Sequence, residues 1–384
     1  MIPYGRQDIS DEDIEAVVAV LRSDFITQGP SIRGFEQAIA DYCGAAHAVA
    51  VNSATSALHI ACLALDVGPG DLVWTSPITF VASSNCALYC GADVDFVDVD
   101  DATANMSVDA LSTKLAAAEA IDRLPKVVIP VHLCGTSCDM QAIRALGDHY
   151  GFKIIEDASH AIGGRYLDTP VGSCTFSDIT VFSFHPVKII TTGEGGMAVT
   201  NDAGLAQRMD LLRSHGVTRD PSLMTREGDG PWYYEQIDLG FNYRMTDLQA
   251  ALGLSQAKRL DAFVSKRNEI ASWYDQAFAE LPVTPLARPA DVYSALHLYV
   301  IRVKGGLASH RNVFEQLRSS GIGVNLHYMP IYLQPFYRNL GFTKGQCPNA
   351  EVYYTQAITL PLHPGLTETD LEKVAGEVAS ATNC

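Results

Sequence analysis

Residues 126–157 read KVVIPVHLCGTSCDMQAIRALGDHYGFKIIED. A short apolar run at 126–131 is followed by 140–150, whose apolar residues recur at helical spacing. A second short apolar run follows at 153–156. Runs that stay apolar instead of alternating are the signature of parallel strands covered on both faces. The stretch therefore reads as strand, helix, strand, and it places the chain in the α/β class.

The same alternation continues outward. Strands are expected at 48–52, 71–75 and 94–97, with helices at 54–65, 80–89 and 108–120 between them, and a Gly-Pro-Gly turn at 68–70 closes the first of these helices. Upstream, an amphipathic helix is expected at 11–22 with Ser10 as its cap, and a second at 32–42. After Gly253 the alternation weakens. Helical pattern runs from 246 to 279, and Pro282, Pro285 and Pro289 mark a linker. A strand at 298–303, a helix at 311–320 and a last helix from 369 then suggest a smaller α+β unit. The expected division is a large, mostly parallel-sheet domain over 1–254 and a small C-terminal domain over 255–384, as the 384-residue length suggests.

Twenty-seven basic residues against forty-four acidic ones leave a net charge of −17, which disfavours nucleic acid or an anionic membrane as partner. Nine cysteines, mostly in apolar segments, fit free thiols in a reducing cytosol. The four-residue spacing of Cys86/Cys90 and Cys134/Cys138 does not match a zinc knuckle, so no metal is expected. The polar, acidic start MIPYGRQDISDEDIE is not that of a signal peptide, and no apolar run is long enough to span a bilayer. The expectation is a cytoplasmic protein.

In an open α/β sheet, ligands bind at the carboxyl ends of the strands. Four groups sit at such ends. Asn52-Ser53-Ala54-Thr55-Ser56 opens a helix, where free N–H groups and hydroxyls suit a phosphate, although N-capping by Ser53 explains the pattern as well. Glu156-Asp157-Ala158-Ser159-His160 ends a strand, with Asp157 placed to pair with a protonated ring nitrogen and His160 to meet a ring substituent; a capping acid beside a core histidine is the alternative. In VFSFHPVKIITTGEGGM (181–197), Lys188 stands between an apolar run and a Gly-rich turn, with Ser183 and His185 before it. A lysine in apolar surroundings is either a snorkelling side chain or an amine with a depressed pKa, able to form a Schiff base. Thr79-Phe80 follows another strand, and Phe80 either stacks on a planar ring or packs in the core. Together the four supply a phosphate cradle, an aromatic face, an acid for a pyridine nitrogen and a lysine for an aldehyde. These are the protein contributions that pyridoxal 5′-phosphate requires. No G-x-G-x-x-G follows the first strand, which disfavours a nicotinamide site.

On NSATSAL (52–58), EDASHAIGG (156–164), FSFHPVKIITTGEGG (182–196), LGFNYRMTDLQAALG (239–253) and HYMPIYLQPFY (327–337), the chain resembles the DegT-type family of sugar-nucleotide aminotransferases. The resemblance implies a type I aminotransferase fold, pyridoxal phosphate as cofactor, L-glutamate as amino donor and a homodimer with active sites at the interface. It implies that Lys188 carries the cofactor and moves protons, that Asp157 pairs with the ring nitrogen and that His160 lies near the ring 3-hydroxyl. It further implies Thr55, Ser56 and Ser183 on the phosphate, Asn242 reaching in from a neighbouring subunit, and Phe80 over the ring. His185, His327 and Tyr328 are candidates for the sugar-nucleotide site. Within the family, HPVKIITTGEGG is most similar to enzymes aminating carbon 4 of a UDP-linked 4-keto-6-deoxy-N-acetylhexosamine. Other 4-keto or 3-keto sugars, or a different pyridoxal-phosphate reaction, stay open at this stage. Relatives with histidine at the lysine position are dehydratases, an outcome that Lys188 disfavours.

Overall fold

The computed structural model describes residues 1–382, so Cys384 lies outside the described residues. Its centre is a seven-stranded sheet. Five of its strands are β1 (His47–Val51), β2 (Leu72–Thr75), β3 (Asp93–Phe96), β4 (Val127–Ile129) and β5 (Lys153–Asp157). A small sheet of β6 (Arg165–Tyr166), β7 (Thr169–Pro170) and β13 (Val292–Tyr293) stands apart. β8 (Ile179–Ser183) and β9 (Gly196–Thr200) complete the main sheet, in the order β1-β9-β8-β5-β4-β2-β3. All neighbours from β3 to β8 pair in parallel, whereas β9 runs antiparallel to both β8 and β1. Every residue of β4, β8 and β9 is buried, which is why these strands read as continuous apolar runs.

Helices cover both faces: α1 (Asp11–Leu21), α2 (Pro30–Cys43), α3 (Ala54–Ala64), α4 (Ala82–Tyr89), α5 (Val108–Glu119), α6 (Met140–Tyr150) and α7 (Ala203–Arg213). Ser10 caps α1 in a reciprocal capping box with Asp13. A hairpin of β10 (Val217–Thr218) and β11 (Glu235–Gln236) follows α7. The long helical stretch expected over 246–279 is two helices, α8 (Asp247–Ala257) and α9 (Leu260–Ala277), because Arg259 leaves helical dihedrals at φ −106°, ψ 4°. Asp247, buried at the start of α8, accepts the N–H groups of Gly29 (2.5 Å) and Ser31 (2.8 Å). It thereby supplies the cap that Gly29 cannot give α2.

The C-terminal part is an antiparallel sheet of β12 (Val283–Pro285), β14 (Tyr299–Val303) and β15 (Ala357–Leu360). It is packed with α10 (Gly306–Ser319) and α13 (Glu368–Thr382), and two short helices, α11 (Pro335–Asn339) and α12 (Pro348–Tyr354), lie between them. Its core joins Ile270 and Tyr274 of α9, and Phe278 just after it, to Ile301, Ile358 and Val374. The first residues of the chain cross onto this unit: Ile2 N–H donates to Gly321 (2.8 Å), and the Tyr4 carbonyl accepts from Leu362 (3.0 Å). That crossing carries the Tyr4 side chain to the mouth of the cavity described next.

Candidate active site

A cavity of about 450 Å³ opens at the carboxyl ends of β5 and β8, where the large sheet meets the C-terminal part. Thr55, Phe80, Asp157, His160, Ser183, His185, Lys188, His327 and Tyr328 all line it, so nine of the eleven residues singled out in the sequence converge. Ser56 does not line it. Its hydroxyl donates to Asn52 Oδ1 (2.7 Å) and contacts Ser53 Oγ (3.0 Å), and its N–H is capped by Ser53. Asn242 does not line it either. Its side chain is exposed, on a loop whose backbone is tied to Asn52.

Asp157 owes its position to strand alternation. On β5, Glu156 points to the opposite face, where it meets His132 Nε2 (2.6 Å), Ser177 and Thr180, while Asp157 faces the cavity. Its peptide is held by the chain that leaves β4: the N–H donates to Pro130 (2.9 Å), and the carbonyl accepts from His132 (3.1 Å). Its carboxylate, only 4% exposed, accepts from Ser83 Oγ (2.6 Å) and from the Ser159 N–H (3.1 Å).

Lys188 follows β8 on a turn closed by its own N–H to His185 (2.9 Å). Thr191 and Thr192 then fold back onto the Phe184 carbonyl, and the chain returns as β9. The amine is open to the cavity on one side, yet protein crowds it enough to lower its pKa from 10.5 to about 8; burial is the larger cause, and the charge of Asp157 opposes it.

The start of α3 is a set of donors with nothing to bond. Among the described residues no acceptor meets the N–H of Ala54 or Thr55, and the hydroxyls of Thr55 and Ser183 are likewise unengaged. Gly196 keeps this cradle open from below, since a Cβ there would lie 2.4 Å from Ala54 N. Unpaired N–H groups at a helix N-terminus suit a phosphate. With Asp157 and Lys188 in the same cavity, the residues fit pyridoxal phosphate at three separate chemical points.

Above these groups lies a set of neutral rings. His160 Nδ1 accepts the Cys134 N–H (3.3 Å), so its ring proton sits on Nε2, which is 3.3 Å from Tyr328 Oη. Burial, Lys188 and His327 all hold its pKa well below the usual value. His327 is pushed down to about 4 by burial and by Lys188, with Nδ1 2.9 Å from Thr359 Oγ1. Burial raises the Tyr328 phenol, which stays a donor. Phe80, by contrast, is 59% exposed at the rim.

Sequence reasoning missed Tyr4, Glu194 and His297 in the lining, and Ser83 behind Asp157. The His297 ring lies 4.5 Å from that of His160, tilted 48° to it; the residue is 4% exposed and has an unpaired Nδ1. The HLY run at 297–299 (a histidine at the mouth of an apolar strand) was its only sequence signal.

Comparison with known proteins agrees with this geometry. Residues 7–379 match the DegT/DnrJ/EryC1/StrS aminotransferase family. The spore coat polysaccharide biosynthesis protein SpsC of Bacillus subtilis is 39% identical over 379 residues, 97% of this chain and 95% of that protein. The structure of Helicobacter pylori PseC, an aminotransferase of pseudoaminic acid biosynthesis, superposes with a TM-score of 0.91 at 33% identity, covering 100% of this chain and 99% of that one. The putative sugar aminotransferase Spr1654 of Streptococcus pneumoniae, in its PLP form, gives a TM-score of 0.89 at 32% identity, covering 100% of this chain and 98% of that one.

Proposed function

Because the chain belongs to the DegT/DnrJ/EryC1/StrS aminotransferase family, whose members depend on pyridoxal phosphate, we propose that it transfers the amino group of L-glutamate to carbon 4 of a UDP-linked 4-keto-6-deoxy-N-acetylhexosamine. The product would be a UDP-4-amino-4,6-dideoxy-N-acetylhexosamine. The observation that carries the reading is one cavity holding a desolvated Lys188, a buried Asp157 and the unpaired donors of α3. The choice of sugar rests on the HPVKIITTGEGG segment and on the similarity to PseC; amination of another keto sugar nucleotide is the second reading.

In this reading the α3 N-terminus, Thr55 and Ser183 hold the cofactor phosphate. Asp157, oriented by Ser83 and Ser159, keeps a proton on the ring nitrogen. When bound, the cofactor supplies an electron sink and carries the amino group from donor to acceptor. Lys188, with a pKa near 8, is an effective base at neutral pH and moves the proton to and from the substrate carbon that bears the amino group. The His160 Nε2 proton is aimed at Tyr328, so both groups offer hydrogen bonds without adding charge beside Lys188. Tyr4, His185 and His327 line the space left for the sugar.

Lys188 is the only Lys or Arg among the lining residues. A phosphate and a nucleotide diphosphate need more positive charge and more donors than that. This shortage, with Asn242 exposed on a loop beside the cradle, supports a homodimer in which each subunit completes its partner's site.

The test is spectroscopic. L-glutamate added to the holoenzyme should convert the visible absorption of the bound aldehyde form to that of the aminated form, with release of one equivalent of 2-oxoglutarate. An unchanged spectrum sinks the transaminase reading. A panel of keto-sugar nucleotides, scored by product mass and NMR, then separates the two sugar readings.

A further inference from the structure

His297 is buried at the cavity wall, yet its ring bonds nothing in the protein. Of the other buried histidines, His59, His132, His160, His310 and His327 each bond a protein group through the ring. His297 has no hydrogen bond at either ring nitrogen among the described residues. Its Nδ1 is closed off from solvent and its Nε2 is not, so Nε2 is the nitrogen open to the cavity that the ring lines. The Nε2 of His363 is unpaired as well, but His363 lies outside that cavity.

The backbone around His297 is tightly held. Ala295 N–H donates to the Gly135 carbonyl (3.0 Å), and Leu298 N–H donates to that of Cys134 (3.3 Å). Between them Leu296 takes φ +48°, a left-handed conformation that a leucine adopts only under constraint. A Cβ on Gly135 would lie 2.7 Å from Leu296 N and 3.0 Å from His297 N, so the two segments interlock. Arg267 of α9, 1% exposed, donates to the carbonyls of His297 (3.1 Å) and Leu362 (2.9 Å) and, among the described residues, bonds no carboxylate. A strained residue and a buried cation without a counter-charge both cost stability. What they fix in place is a ring that the fold itself does not use.

A neutral imidazole carries one proton on its two nitrogens. A buried N–H without an acceptor is costlier than an empty lone pair, so the proton belongs on Nε2, where a ligand can accept it. Burial, the neighbouring His160 and the charges of Lys188 and Arg267 keep a second proton off and hold the pKa well below its usual value.

Resting on the transaminase reading, we propose that His297 determines acceptor specificity, its Nε2–H donating to an uncharged oxygen of the keto sugar, a hydroxyl or the carbonyl. The amino donor presents carboxylates. A carboxylate seated on this ring would draw the second proton that Lys188 and Arg267 oppose. A sugar oxygen asks only for a neutral donor. His297 therefore serves the acceptor half of the reaction far more than the donor half, although both substrates enter one cavity.

The test follows the two half-reactions of the holoenzyme separately by cofactor absorption. One adds L-glutamate to the aldehyde form, and the other adds the UDP-linked 4-keto-6-deoxy-N-acetylhexosamine to the aminated form. His297→Leu should lower the second-order rate constant for the keto sugar roughly ten-fold, as for one lost hydrogen bond between uncharged groups, and that for glutamate by no more than about two-fold. His297→Gln, which holds an N–H at similar reach, should recover most of the loss. A second readout needs no turnover. In the aldehyde form labelled with 15N-histidine, the ring resonance that His297→Gln removes should be a neutral Nε2–H, and the keto sugar should shift it. If the parent takes no amino group from glutamate, the transaminase reading fails and this inference with it. If the parent does, equal losses in both half-reactions, no loss in either, or glutamine no better than leucine overturns this inference alone. So does a His297 ring that is doubly protonated, protonated at Nδ1, or unmoved by the sugar.

Discussion

Lys188 is disfavoured where it stands, and that cost is measurable. Its pKa falls from 10.5 to about 8 in the folded chain, so below pH 8 both states carry the charge and the folded one bears the full penalty. Between about 8 and 10.5 the folded state sheds its proton first and the penalty fades. Cofactor-free Lys188→Met should therefore be more stable than the cofactor-free parent at pH 7, by up to about 3 kcal/mol. Urea unfolding of both proteins at pH 7 and near pH 10 should show the gap closing, and a gap that persists would contradict the burial argument. Behind Asp157, Ser83→Ala removes a 2.6 Å donor to a buried carboxylate. Losing one such charge-assisted bond should lower kcat roughly ten-fold. It should also shift the pH dependence of the bound cofactor's spectrum, a change that a merely structural role would not produce. Asp157 and His160 were legible because one short motif carries both. Ser83 and His297 were not, because their contacts with that motif cross 74 residues and more of sequence, and nothing in their own neighbourhoods announces the partner.

In the proposed site, the elements that would make the phosphate cradle are the start of α3 and the start of β9. The sequence placed Thr55 and Ser56 together at the phosphate, since both open a helix after a strand. The structure separates them, because successive helical residues point about 100° apart and Ser56 is already spent on Asn52 and Ser53. Thr55→Val should therefore weaken cofactor binding by roughly ten- to hundred-fold, as expected for one hydrogen bond to a charged group. Ser56→Ala should leave the dissociation constant within about two-fold, since its hydroxyl faces the protein and not the cavity. Equilibrium dialysis of both variants decides the assignment, and equal losses would return Ser56 to the phosphate. Gly196 tests the same cradle from the other side. Its added Cβ would press on Ala54 N and the Ser53 carbonyl at 2.4 to 2.5 Å. Gly196→Ala should displace α3 and reduce cofactor affinity more than Thr55→Val does. The turn motif TTGEGG made the need for glycine legible, but not that the tight neighbour would be the other end of the cradle.

Across the whole molecule, the alternating pattern made the parallel sheet legible, because strands buried on both faces leave continuous apolar runs. The reach of the first residues was not legible. Tyr4 arrives at the cavity through backbone pairing of Ile2 and Tyr4 with residues more than 300 positions away, which no local pattern encodes. The shared site proposed for the homodimer is the largest-scale claim, and it has a test that needs no structure of the dimer. Lys188→Ala removes the amine from a subunit's own cavity, while Asn242→Ala removes a group that would serve the partner's. In a mixed dimer of the two variants, one site then combines both defects. The other joins the intact Lys188 of one subunit with the intact Asn242 of its partner. If subunits exchange at random, half of all dimers are mixed, and about a quarter of the parent's activity should return from two preparations that are each nearly inactive. Recovery should appear only after denaturation and joint refolding, or at the rate of subunit exchange. If Asn242 serves its own subunit's cavity, no mixed dimer contains an intact site and no activity returns.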